Sequence, residues 1–331
     1  MTVESDASVD RAISDDPTRG RADKVRAGVR GLWRRDAPTL VWGAIFVAIL
    51  VISAVGPFVL QSYSAIDPSN RLQGPSGAHL LGTDEYGRDV LARIVYAGRT
   101  SLGIGFAITG MALVLGTLIG TVTGYYAKMS GPLMRLMDGV MAFPPIVLAI
   151  ALLIALRSGV WGEIIALGVV FTPHIARVVR SRVISLKEKG FVAAARSSAV
   201  SGPKILLTHI LPNSASTILV QTVFIYASAL LADSSLSFLG LGVQPPTPTW
   251  GNMVGEARAF ITVAPTFIIF PGIAIVLSVM SLNLLGEGLR GLIDPRARAI
   301  LDLERSRKDR LGRAKKELRA IREAKTTRSE R

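Results

Sequence analysis

Residues Ser101 to Tyr125 read SLGIGFAITGMALVLGTLIGTVTGY, a run without one charged side chain. About 20 apolar residues in a helix cross a hydrocarbon core roughly 30 Å thick, so this run is long enough to span a membrane. It must do so as a helix, because lipid offers no water to an unpaired backbone. Within it Ala112, Gly116, Gly120 and Gly124 recur at every fourth position and share one face. Small residues there let two helix backbones approach closely, which predicts a membrane helix packed against a neighbour. A glycine-rich span with no special face would not require that spacing.

Outward from this stretch the same reading recurs. Six spans are expected: Thr39 to Leu60, Ser101 to Tyr125, Leu133 to Leu156, Trp161 to Val179, Ser216 to Leu236 and Ala264 to Leu285. The 331 residues are 50% hydrophobic, with a mean hydropathy of +0.43. Two soluble domains of that length would not carry so apolar a composition. The fold class is therefore an all-α membrane protein. Pro144 and Pro145 in the third span and Pro173 in the fourth remove backbone donors and are expected to kink their helices beside protein or a water-filled pathway. Asp138 and Asp233 are read as solvated groups near helix ends.

The net charge of +14 could indicate a nucleic-acid partner, but its location argues otherwise. Residues 291–331 hold fourteen Lys/Arg against seven Asp/Glu, so half of the excess is one terminal tail. Leu311, Ala314, Leu318 and Ile321 give that tail a short apolar seam, consistent with a solvated segment or one lying on anionic lipid. Positive loops stay in the cytoplasm. Arg19 to Arg35 has seven Lys/Arg with Asp23 as its one acid, and Arg177 to Pro212 has seven with Glu188 alone, whereas Gln61 to Arg99 has four of each sign. Both termini are accordingly placed inside. Residues 1–38 form a cytoplasmic segment rather than a cleaved signal, 39–290 the membrane domain, and 291–331 a basic cytoplasmic tail. With no cysteine there is neither a disulfide framework nor a thiolate metal site.

The segment between the fourth and fifth spans holds the strongest functional signal. Phe191 to Val200 is Ala-rich and helix-prone, Ser201 and Gly202 break it, and Pro203 is placed to start a second short helix ending before Pro212. Ala193, Ala194 and Ala195 offer a small surface that can seat in another protein's groove; a loop lying on the membrane surface is the alternative.

Ala193-Ala194-Ala195, Ala199 and His209-Ile210-Leu211-Pro212 together resemble the "EAA" loop of binding-protein-dependent ABC importers. The resemblance implies that segment 191–212, including Gly202, is the coupling helix that docks on an ATPase subunit. Ala193 stands where that family has Glu, and Ala199 where it usually has Gly. Three further stretches resemble the C-type permease of dipeptide and oligopeptide transporters: His79 to Val90 (HLLGTDEYGRDV), Leu236 to Met253 (LSFLGLGVQPPTPTWGNM), and Asn283 to Arg290 (NLLGEGLR) closed by Asp294-Pro295-Arg296. The resemblance spans about Leu40 to Arg296. It implies a type I ABC importer permease fold in a bacterial plasma membrane, inside-facing at both ends. Its implied partners are a second permease, two ATPase domains that bind ATP and Mg, and an extracytoplasmic peptide-binding protein. The cargo would be peptides, with nickel or another small solute as the alternative.

Read from the residues, Asp84, Arg88 and Asp89 lie at the outer end of the second span, where a short interfacial helix is expected. His79, Asp84, Glu85 and Asp89 lack metal-ligand spacing, and pairing with Arg88 and Arg93 is the better reading. Gln244, Pro245, Trp250 and Asn252 are expected on an outer surface for a delivered ligand or its carrier. No phosphate-cradling loop, zincin pattern or serine elbow occurs, so no catalytic residue is assigned and no cofactor is placed on this chain. Two rival classes remain in view. A membrane hydrolase needs paired carboxylates or a Ser/His set inside spans, and an ion-coupled carrier needs charges near the bilayer centre and inverted repeats; the sequence offers no adjacent pair of that kind.

Overall fold

The computed structural model describes residues 37–60, 62–156 and 159–293. The basic segment Arg19 to Arg35, the tail seam and Asp294-Pro295-Arg296 lie outside the described residues. Within them the chain is helical, in the order α1 (Ala37–Val55), α2 (Val90–Tyr125), α3 (Ala127–Met141), α4 (Pro145–Leu156), α5 (Val160–Lys187), α6 (Gly190–Ser197), α7 (Gly202–Ile205), a π turn (Leu206–Ile210), α8 (Leu211–Phe238), α9 (Trp250–Ala257) and α10 (Pro265–Ile293). Five stretches are each long and apolar enough to cross a membrane: Ala37–Phe58, α2, α5, the continuous run Gly202–Phe238 and Pro265–Gly291.

The third expected span is different. Instead of one kinked helix over Leu133 to Leu156 there are two, α3 and α4, meeting at 96°, so the chain reaches six crossings only if that bent pair is one. The prolines account for the break. Pro145 bars Pro144 from helical geometry yet starts α4 comfortably, because a first-turn residue needs no amide donor. At 12 residues α4 is about 18 Å long, too short to cross alone.

The second span also departs from expectation. Asp89 caps it, its carboxylate accepting from the Ala92 amide at 2.8 Å, and α2 runs 36 residues from Val90. The short outer interfacial helix is thus the first turns of the spanning helix. Further along, Pro212 ends nothing. Pro203 starts α7, the π turn carries the chain on, and Pro212 falls in the first turn of α8, where its missing donor is harmless.

The bundle is built on α2 against α5. A Cβ added to Gly116 would fall 2.7 Å from the Ile175 Cβ; on Gly120, 2.5 Å from the Ala176 carbonyl and 2.8 Å from the Val179 Cβ; on Gly124, 2.7 Å from the Val183 Cβ. No real Cβ fits there, so the two helices touch backbone to side chain along three turns. Ile104, Ile108, Leu167, Phe171 and Leu153 continue this contact into a buried core. Pro173 sits buried in the middle of α5 and deprives the Val169 carbonyl of its usual donor. A second cluster, with Phe46, Trp250, Phe267 and Leu282, joins α1, α9 and α10.

Gly120→Leu is expected to cost at least about 1–3 kcal/mol by overpacking, seen as a lower unfolding temperature and reduced monodisperse yield in detergent. Gly110→Leu, whose Cβ meets nothing within 4 Å, should leave both unchanged.

Candidate functional site

At the end of α5 the chain turns under the bundle. Val192 and Ala195 of α6 are buried against it, while Ala193 and Ala194 are exposed. The Phe191 ring stacks on His209 with centroids 6.5 Å apart, and Leu207 projects with 66% of its surface exposed. Thr208 and His209 share a hydrogen bond of 2.6 Å, Leu211 is half-buried and Pro212 exposed. Segment 191–212 therefore presents a face of Phe191, Ala193, Ala194 and Leu207, with Ala195 turned inward as its anchor. Phe191 and Leu207 went unread in the sequence, although large apolar residues in a polar segment were the available signal.

The turn after α6 explains the residue at 199. The Val200 amide donates to the Ala195 carbonyl at 3.1 Å and the Ala199 amide to the Arg196 carbonyl at 3.0 Å, a Schellman ending. Such an ending needs a left-handed residue, and Ala199 supplies it at φ +55°, where glycine is at ease and alanine strained. Gly202 then passes close under Tyr125 and Tyr126. Lys187 Nζ donates to the Tyr125 carbonyl at 2.8 Å, and Arg177 pairs with Asp138 at 2.6 Å, so α5 holds the ends of both α2 and α3.

At the opposite end lies a buried charge network. Asp84 is fully buried; one carboxylate oxygen accepts from the Tyr86 and Arg88 amides, and the other meets Arg88 Nε at 2.5 Å and Arg93 Nη1 at 2.6 Å. Arg93 Nη2 reaches on to Glu256 of α9 at 2.8 Å. Burial pushes the Glu85 carboxyl above the ordinary carboxylate range, and the neighbouring Asp84 and Glu256 add to that. His79 and Asp89 pair at 2.9 Å.

This network corrects the expected outer contact surface. Asp84, Arg88, Trp250 and Asn252 are all buried. Trp250 is 1% exposed, its indole donating to the Ile94 carbonyl at 3.0 Å, and Asn252 completes a capping box with Thr249 that starts α9. They fasten the cap over that end of the bundle and offer no contact surface. Of that set Gln244 and Pro245 are exposed and Asp89 is half-buried, with the Gln244 amide folded back on the Gly240 and Gly242 carbonyls.

The structure also brings together two carboxyls that the sequence keeps apart. Glu163 in the first turn of α5 and Asp233 near the end of α8 are both fully buried, and no donor among the described residues reaches any of their four oxygens. The two acids are neighbours across the packing of α5 on α8. Asp233 is therefore no solvated helix end, and the spans do contain a carboxylate pair.

Residues 103–299 match the family model described as the binding-protein-dependent transport system inner membrane component. The chain is 43% identical to the dipeptide transport system permease protein DppC of Alkalihalophilus pseudofirmus, over 80% of this chain and 88% of that protein. It is 38% identical to the glutathione transport system permease protein GsiD of Pectobacterium atrosepticum, over 84% and 95%. Among solved structures it is similar to the inward-facing MetNI methionine ABC transporter, with a TM-score of 0.50 at 18% identity, covering 59% of this chain and 93% of that one.

Arg93→Met is expected to lose about 3 kcal/mol, because the fully buried Asp84 is left with Arg88 as its one cation and the half-buried Glu256 loses its nearer partner. Thermal unfolding should fall, and limited proteolysis should open the 62–89 loop first. Ala199→Gly should instead gain about 1 kcal/mol by relieving the left-handed alanine, read as a raised unfolding temperature.

Proposed function

Because this chain belongs to the family of binding-protein-dependent transport system inner membrane components, we propose that it forms one half of the pathway of a peptide importer and receives its drive through segment 191–212. It is a non-catalytic, multi-pass permease subunit of an ATP-driven importer in the bacterial inner membrane, with the type I ABC importer fold. Chemistry belongs to the ATPase partner. The rival hydrolase and lone-carrier readings give way to this membership, the Glu163–Asp233 pair notwithstanding.

The observation that carries the coupling role is the shape of α6. An eight-residue helix held by Val192 and Ala195 leaves Phe191, Ala193, Ala194 and Leu207 free to seat in a groove, while the continuous α5 leads from it into the bundle. Closure of two ATPase domains around ATP and Mg would push this face. The permease then shifts between an inward and an outward packing, and the nucleotide cycle biases that equilibrium.

A peptide cargo is supported by the relatives named for dipeptides and for glutathione, itself a short peptide. The second permease would complete the pathway. An apolar groove of about 400 Å³ between α8 and α10, lined by Leu231, Val276, Val279 and Met280 with Asn283 as its polar member, is our candidate for the wall facing it. A peptide-binding protein would deliver cargo at the outer end, over Gln244 and Pro245.

Ala194→Trp is expected to abolish growth on a dipeptide as sole source of a required amino acid while leaving membrane insertion normal, since an indole cannot enter a seat shaped for a methyl group. Growth at the wild-type rate would overturn the docking role. Unchanged growth after deletion of the gene would overturn the peptide cargo.

A further inference from the structure

Beside the coupling helix lies a cavity of about 610 Å³ that shares Ala193 with the proposed docking face and is otherwise lined by residues to which the transport cycle described above gives no part. Its wall is formed by Thr123 and Gly124 of α2, Ser130 of α3, Arg180 and Lys187 of α5, and Arg196 of α6. Three cations converge there. Lys187 and Arg196 approach the same Tyr125 ring from two different helices, at 5.5 and 5.4 Å from its centroid. Arg180 is held by Ser130, whose hydroxyl accepts from Nε at 3.2 Å and Nη2 at 3.0 Å. None of the three has a carboxylate within 4 Å among the described residues; Glu188, the one acid in the lining, lies beyond that distance. Like charges brought together without counter-ions make a site for an anion.

The rim indicates what the anion is attached to. α3 leaves α4 at 96°, and at its start, next to the cavity, its cap Tyr126 and first-turn Met129 are 38% and 49% exposed. A free anion gains nothing from these side chains, whereas acyl chains do. The geometry points to a binding site for the phosphate headgroup of an anionic phospholipid of the cytoplasmic leaflet, seated between Arg180, Lys187 and Arg196. The inference rests on the cytoplasmic placement of segment 191–212 proposed above. The occupant bonds α5 and α6 at once, so it stiffens the joint through which the ATPase would push.

The test uses the full chain assembled with its importer partners in nanodiscs of phosphatidylcholine with phosphatidylglycerol, followed by native mass spectrometry. Wild-type protein is expected to retain phosphatidylglycerol preferentially. Lys187→Gln and Arg196→Gln should each weaken that preference roughly five-fold, and the pair more, since each cation near a lipid surface is worth about 1 kcal/mol. Arg177→Gln, outside the cavity, should change nothing, and excess inorganic phosphate should leave the lipid in place. Equal retention by the double variant overturns the site. Displacement by inorganic phosphate assigns the cavity to free phosphate and overturns the lipid. A preference seen only in assemblies prepared without the ATPase assigns the cations to that partner and does the same. If the double variant fails to assemble, Arg196→Lys must keep the preference that Arg196→Gln loses. A cysteine at Ser198 separates the two readings: labelling from outside sinks the coupling role with the lipid site, whereas inside labelling with equal retention sinks the lipid site alone.

Discussion

Everything in this bundle leans on the absence of three side chains. Gly116, Gly120 and Gly124 let α2 lie against α5 more closely than any Cβ would permit. In lipid that closeness matters more than apolarity, because the surrounding tails are as apolar as leucine and association has to come from packing. The two helices so joined run from the Asp84 cap at one end to the α6 turn at the other. Between those ends the two helices form a closely packed, nearly rigid pair.

The ends of this pair are fastened by different means. At the Asp84 end buried charges do it: Arg93 ties the loop carboxylate of Asp84 to Glu256 of α9, and the Trp250 indole adds a bond to the Ile94 carbonyl. Buried ion pairs are seldom retained for stability alone, since desolvation consumes most of their attraction. They do fix one arrangement. At the other end the fastenings are single hydrogen bonds and ring contacts, Lys187 to Tyr125 and Arg180 to Ser130, on half-exposed side chains. One end of the pair is thus fixed by buried charges and the other by fewer, more exposed contacts.

What the sequence made legible follows physical range. Span existence and the small-residue stripe are local patterns of composition and period, and α2 and α5 carry them plainly. The broken third span was half-visible: two adjacent prolines announced a disturbance, but only neighbouring helices decide between a kink and a right-angle turn. Pairings across the fold were invisible. Glu163 and Asp233 each look like a helix-end acid, and nothing near either names the other. Trp250 looked interfacial because a tryptophan after a proline-rich loop usually is, and burial was settled by α2 and α10 closing over it. Ala199 is the instructive middle case. Its departure from the glycine of related loops could be read off, whereas the left-handed turn that makes the departure matter is set by the fold.

The π turn at Leu206–Ile210 has a quieter effect. A wide turn holds one more residue than an α turn, so it sets the azimuth at which the following helix leaves. With about 100° per residue in an ordinary helix, losing that single surplus position would swing every later side chain of α8 around the axis, and Asp233 would face away from Glu163. The turn works as the phase setting of a long rod, fixed beside α6 and read out at its far end.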